Sequence, residues 1–93
     1  MKKKIAILGS TGSIGKTLID ILKKDKKNFE LRLITTNKNI NELLKQIKFF
    51  DVKNVIVKDY KSYLKIKKIL YKKKINIFKK FDSINKIFKN KKI

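Results

Sequence analysis

The 93 residues carry 27 Lys and Arg against 7 Asp and Glu, a net charge of +20, and include no Pro, His, Cys or Trp. Without cysteine there is no disulfide, thiolate metal site or cysteine nucleophile, and without histidine the commonest general base and metal ligand is missing. The length allows one small domain with a modest core, not a two-domain enzyme.

The first predicted element is a strand over residues 5–8, an apolar run that stops at Gly9. A helix is predicted over 13–24, where Ile14, Leu18, Ile21 and Leu22 share a face and Ser13 is placed to cap the first turn. A second strand spans 29–34, with Phe29, Leu31 and Leu33 on one side. After a polar loop, 37–39, a second helix spans 40–49 and turns Ile40, Leu43, Leu44 and Ile47 inward. A strand at 54–57 precedes a helix at 60–71 with Tyr63, Ile66, Ile69 and Leu70 at helical spacing. A fourth strand is expected at 75–78, a last weak helix at 83–88 and a frayed basic tail at 89–93. The alternation implies α/β architecture: a Rossmann-like, doubly wound parallel sheet, partial at about four strands with crossover helices. Residues 1–88 are expected to form this single domain.

All three glycines of the chain, Gly9, Gly12 and Gly15, lie where the first strand passes into the first helix. In a dinucleotide site the first glycine permits the tight turn. The second lets the backbone approach a pyrophosphate, and the third lets helix and strand pack closely. The amides and dipole of the helix N-terminus then face the anion. The spacing is neither G-x-G-x-x-G nor that of a P-loop; Gly15-Lys16-Thr17 imitates the tail of a P-loop, but Ser10 stands where its first glycine is required.

The second strand ends where such folds read the adenosine ribose. An acid there accepts from the 2′-hydroxyl and repels a 2′-phosphate. Thr35-Thr36-Asn37-Lys38-Asn39 contains no acid and one base, which points to NADP(H) over NAD(H). The competing reading makes Lys38 one more solvated lysine.

The excess charge has two readings as well. Lys, Ile, Asn and Phe are abundant, and all have A/T-rich codons, so compositional drift would produce the surplus. A surface selected for polyanions would favour arginine, and Arg32 is the only one. The seven acids, Asp20, Asp25, Glu30, Glu42, Asp51, Asp59 and Asp82, are scattered, without the spaced pairs of general acid–base or metal chemistry. No catalytic or metal-binding residue is expected among them. No apolar run could span a bilayer, and the apolar run after residues 2–4 is too short for a signal peptide. A soluble, cytoplasmic chain is expected.

Gly9-Ser10-Thr11-Gly12-Ser13-Ile14-Gly15 resembles the N-terminus of the 1-deoxy-D-xylulose 5-phosphate reductoisomerase family. The likeness continues through Thr17-Leu18-Ile19-Asp20, Asn28-Phe29-Glu30-Leu31, Lys38-Asn39-Ile40 and Val52-Lys53-Asn54-Val55-Ile56-Val57. The resemblance implies an NADPH-dependent oxidoreductase that makes 2-C-methyl-D-erythritol 4-phosphate for isoprenoid precursors. It also implies a divalent cation, Mg or Mn, and a homodimer at full length. Its cofactor contacts would be Thr11, Gly12, Ser13 and Ile14 around the phosphates, with Asn37, Lys38 and Asn39 around the 2′-phosphate.

Two departures stand out. Asn37 replaces a usual glycine, so a left-handed backbone is expected to be tolerated there. The family enzyme is also several times longer, its metal cluster, substrate-phosphate site and lid lying beyond these residues. The chain alone is therefore expected to bind cofactor without catalysis, and a separate catalytic fragment is a conceivable partner. The alternatives are a basic, non-enzymatic RNA- or anion-binding module, or another NADP-dependent Rossmann enzyme such as a semialdehyde dehydrogenase.

Overall fold

Four short runs rich in Ile, Val, Leu and Phe take extended backbone, because branched and aromatic side chains pack well on a pleated surface. In the computed structural model, which describes residues 3–79, these are β1 (Lys3–Ile7), β2 (Phe29–Thr36), β3 (Asn54–Val57) and β4 (Asn76–Phe78). The helices α1 (Ser13–Lys24), α2 (Ile40–Phe50) and α3 (Tyr60–Leu70) alternate with them, and a 3-10 turn at Lys26–Asn28 leads into β2. All pairings are parallel, in the order β1-β2-β3-β4. This is the Rossmann-like α/β architecture that the alternation predicts, wound in one direction from β1 outward. The expected helix at 83–88 and the tail at 89–93 lie outside the described residues.

One apolar cluster joins the three helices to one face of the sheet. Ile19 and Leu22 of α1, Ile40, Leu43 and Ile47 of α2, and Ile66 and Leu70 of α3 pack with Ile7, Leu31, Ile34, Val55 and Val57. β3 is buried at all four positions, and its apolar run reads as an interior strand of a parallel sheet.

β2 departs from simple alternation. Ile5 pairs with Leu31 and Ala6 with Leu33, which leaves Arg32 as the extra residue of a bulge. The amide of Asn54 donates to the Arg32 carbonyl at 3.1 Å and accepts from the Asn76 amide at 3.0 Å, so the irregular backbone is satisfied across the next two strands. The bulge overturns the expectation that Phe29, Leu31 and Leu33 share a side. Leu31 and Ile34 face the helices, while Leu33, paired with Ala6, is buried on the opposite face.

The inward face of α1 also differs from the expectation. Gly15, Ile19 and Leu22 are buried, whereas Ile14, Leu18 and Ile21 are 80%, 44% and 57% exposed. Both sets have helical spacing, and the glycine decides between them. A Cβ on Gly15 would overlap the Gly9 carbonyl oxygen and lie 2.7 Å from Ser10 Cα. The helix therefore turns its one side-chain-free position to the strand, and the residues four and seven later follow it inward. In α3, Ile66 and Leu70 are buried as expected, but Ile69 is exposed.

Candidate functional site

The turn from β1 to α1 is built by its glycines. Gly9 has φ +70°, a left-handed conformation that costs other residues about 1–2 kcal/mol. Gly15 permits the close approach of helix to turn described above. Gly12 is different, because its φ of −80° and ψ of 175° are open to any residue and a Cβ there would lie an ordinary 3.5 Å from Gly9 O. Its bare Cα helps to line an open cleft of about 430 Å³, together with Leu8, Gly9, Ser13, Ile14, Gly15 and Leu18.

A buried polar clamp holds the turn. The Gly9 amide donates to Thr35 Oγ1 at 2.7 Å, and the Ser10 amide to the Thr35 carbonyl at 2.9 Å. Ser10 Oγ donates to Gln46 Oε1 at 2.6 Å, and Gln46 Nε2 returns a bond to the Ser10 carbonyl at 2.9 Å. Ser10, Thr35 and Gln46 are all buried. Gln46 escaped the sequence reading because it is polar, although its place three residues after Leu43 and one before Ile47 puts it on the inward face of α2.

The clamp leaves the helix end bare. The expected cap, Ser13, is the first helical residue instead. Gly12 takes the cap position and no side chain caps α1, which also has no acid in its first turn. By contrast, Asn39 caps α2 and Asp59 caps α3. The Gly12 amide is occupied by the Gly9 carbonyl at 3.1 Å, but the amides of Thr11, Ser13, Ile14 and Gly15 meet no acceptor among the described residues. Four donors thus point from a fixed turn at the positive end of a helix dipole, an arrangement suited to an anion.

The loop 37–39 lies on the same edge of the sheet. Parallel strands end together, and Thr11 Oγ1 is 2.6 Å from Thr36 Oγ1. The turn that carries Thr11, Gly12, Ser13 and Ile14 and the loop of Asn37, Lys38 and Asn39 thus share one edge of the sheet, joined through Thr11 and Thr36. Asn39 has a structural duty as well, since its Oδ1 accepts from the Glu42 amide at 3.2 Å. The left-handed backbone expected at Asn37 is absent: among the described residues the only non-glycine with positive φ is Asp51. The missing glycine there imposes no strain.

The turn after β3 backs this loop. The Lys58 and Asp59 amides donate to the Thr36 and Asn37 carbonyls, each at 3.0 Å. The Ser62 hydroxyl and amide hold the Asp59 carboxyl below its ordinary range, and Lys38 and Lys61 add to the effect. Among the described residues no three His, Cys, Asp or Glu side chains converge as metal ligands would, and no helix is long and apolar enough to cross a membrane.

A parallel sheet whose first strand turns through glycines onto a bare helix end places the chain in the Rossmann-like α/β class. The family model for 1-deoxy-D-xylulose 5-phosphate reductoisomerase matches residues 5–93, and the chain belongs to that family. The enzyme of that name from Pelagibacter ubique is 58% identical over 86 residues, 92% of this chain and 22% of the relative. A Zymomonas mobilis 1-deoxy-D-xylulose 5-phosphate reductoisomerase in complex with NADPH superposes with a TM-score of 0.82 at 22% identity, covering 94% of this chain and 23% of that one. A reductoisomerase in complex with NADPH, fosmidomycin and magnesium gives 0.84 at 18% identity, covering 98% and 22%. At such identities the structural likeness speaks for the fold. The chain spans less than a quarter of the length of each of these proteins.

Proposed function

We propose that this chain is the NADPH-binding segment of a 1-deoxy-D-xylulose 5-phosphate reductoisomerase. In this reading it works with the remainder of the family's chain to make 2-C-methyl-D-erythritol 4-phosphate for isoprenoid precursors. The observation that carries the reading is the set of amides on Thr11, Ser13, Ile14 and Gly15 that meet no acceptor among the described residues, held in place by the Ser10–Thr35–Gln46 clamp.

When bound, NADPH supplies the hydride of the family reaction. The task of this segment is to hold its adenosine diphosphate half. The amides of Thr11, Ser13 and Ile14 receive the diphosphate, and the bare Cα of Gly12 lets it approach. Lys38, with the amides of Asn37 and Asn39, receives the 2′-phosphate, and no acid in the stretch 35–39 stands against it.

In this reading the divalent cation is held by the remainder of the family's chain. The chain by itself is a binding unit without the chemical step. The exposed stripe of Leu8, Ile14, Leu18 and Ile21 supports cooperation with a further segment, because apolar side chains in a row mark a surface that another element covers. A cytoplasmic location accords with this reading. The alternative of a basic RNA- or anion-binding module is not favoured, because the family match runs from residue 5 to residue 93.

Isothermal titration with NADPH and NADH tests the proposal. NADPH is expected to bind more tightly. Replacing Lys38 by Ala should weaken NADPH by about tenfold or more, the worth of one charge-assisted bond, while leaving NADH unchanged. No heat with either nucleotide would overturn the reading.

A further inference from the structure

We propose that Asp59, the cap of α3 beside the loop that carries Lys38, is a specificity-determining residue of this site: its fixed carboxylate opposes entry of a 2′-phosphate and so limits the preference for NADPH over NADH. The inference rests on the coenzyme reading above and adds a second charge to it, of opposite sign, on a different element.

Backbone geometry fixes where Asp59 stands. Thr36 and Val57 are partners in the β2–β3 ladder. The pairing continues beyond both strand ends through Lys58 N to Thr36 O and Asp59 N to Asn37 O. Asp59 is thereby held against Asn37, one residue from Lys38. Its side chain is fixed as well, because Oδ2 accepts from both the amide of Ser62 at 3.0 Å and the hydroxyl of Ser62 at 2.8 Å. The same hydroxyl lies 3.5 Å from the Lys38 carbonyl oxygen.

The charges of Asp59 and Lys38 already act on one another, since the ammonium groups of Lys38 and Lys61 help to keep the carboxyl ionised. A phosphate drawn to Lys38 must therefore approach a carboxylate that cannot swing away. Asp59 lies outside the stretch after the second strand where an acid would be sought from sequence. It reaches the loop only through the parallel register.

The capping role of Asp59 offers a competing explanation of its position, and one substitution separates the two. Asn at position 59 keeps an oxygen for the Ser62 amide and is an equally good cap, but it carries no charge. NADPH and NADH differ only in the 2′-phosphate, so a loosened cap moves both affinities and a removed charge moves one.

In titrations of the wild type and Asp59→Asn, NADPH is expected to bind about two- to fivefold more tightly to the variant, the scale of an exposed charge pair, with NADH unchanged. The gain should vanish between about 0.1 M and about 1 M salt, as screening shortens the reach of the charge. Asp59→Ser, which also preserves a cap, should behave in the same way, and circular dichroism of both variants reports whether α3 is intact. Equal shifts for both nucleotides, or an unchanged NADPH affinity, would overturn the role of Asp59 and leave the coenzyme reading standing. A wild type that binds neither nucleotide would overturn both.

Discussion

Gly9, Gly12 and Gly15 are identical residues with three different reasons to be there, and substitution should separate them. Ala at Gly15 puts a Cβ into the Gly9 carbonyl and against Ser10 Cα. Backbone cannot yield as a flexible side chain does, so a loss of about 3 kcal/mol or more, the upper end for overpacking, is expected. Ala at Gly9 meets open space but must hold φ at +70°, at a cost of about 1–2 kcal/mol. Ala at Gly12 should leave stability nearly unchanged, because its Cβ makes only ordinary contact, yet the methyl group enters the cleft and should weaken NADPH. Denaturant melts of the three variants, with nucleotide titration of each folded one, check the pattern. A Gly12 variant that loses stability as Gly15→Ala does would contradict it.

At the level of elements, hydrophobic periodicity located the three described helices and four strands to within a residue or two, because apolar runs of period two or near four leave few alternatives. It was weaker at deciding which way an element faces. Two stripes compete on α1, and the winner is set by a contact between Gly15 and Gly9, which a pattern of apolar residues does not contain. On β2 the expected side of Leu33 failed because one residue is bulged out. The glycine turn was legible in the glycine spacing. The clamp by Gln46 and the approach of Asp59 were not, since both come from pairing between distant segments.

Asp59 also gives α3 a pH response. Its folded carboxyl titrates below the ordinary value of 3.8, so the folded state holds the proton less tightly than the unfolded chain. The stabilisation is complete above the ordinary value and disappears as pH falls through the folded one. Thermal melts across that acid range should therefore show a shallower decline for Asp59→Asn than for the wild type. Parallel curves would remove the carboxylate from the acid response.

For the whole molecule, a net charge of +20 on 93 residues dominates. Ion pairs join Arg32 to Glu30 and Lys53 to Asp51, but seven acids cannot neutralise 27 bases, so most of the positive charge is left to repel itself. Self-repulsion of this kind disfavours the compact state and is screened by salt. The melting temperature should rise between about 0.01 M and about 1 M sodium chloride, the reverse of what a fold held by surface ion pairs would show. A flat or falling melting temperature would mean that the lysines are arranged so as to avoid one another.

Arg32 is the position at which β2 miscounts by one against its neighbour. Loss of that single codon would return the strand to an even rhythm, and Leu33, Ile34, Thr35 and Thr36 would keep their places opposite β1 and β3. Loss of codon 35 or 36 would remove one of the two threonine hydroxyls that meet Gly9 and Thr11. The ruler that sets the C-terminal end of the strand therefore begins at the bulge.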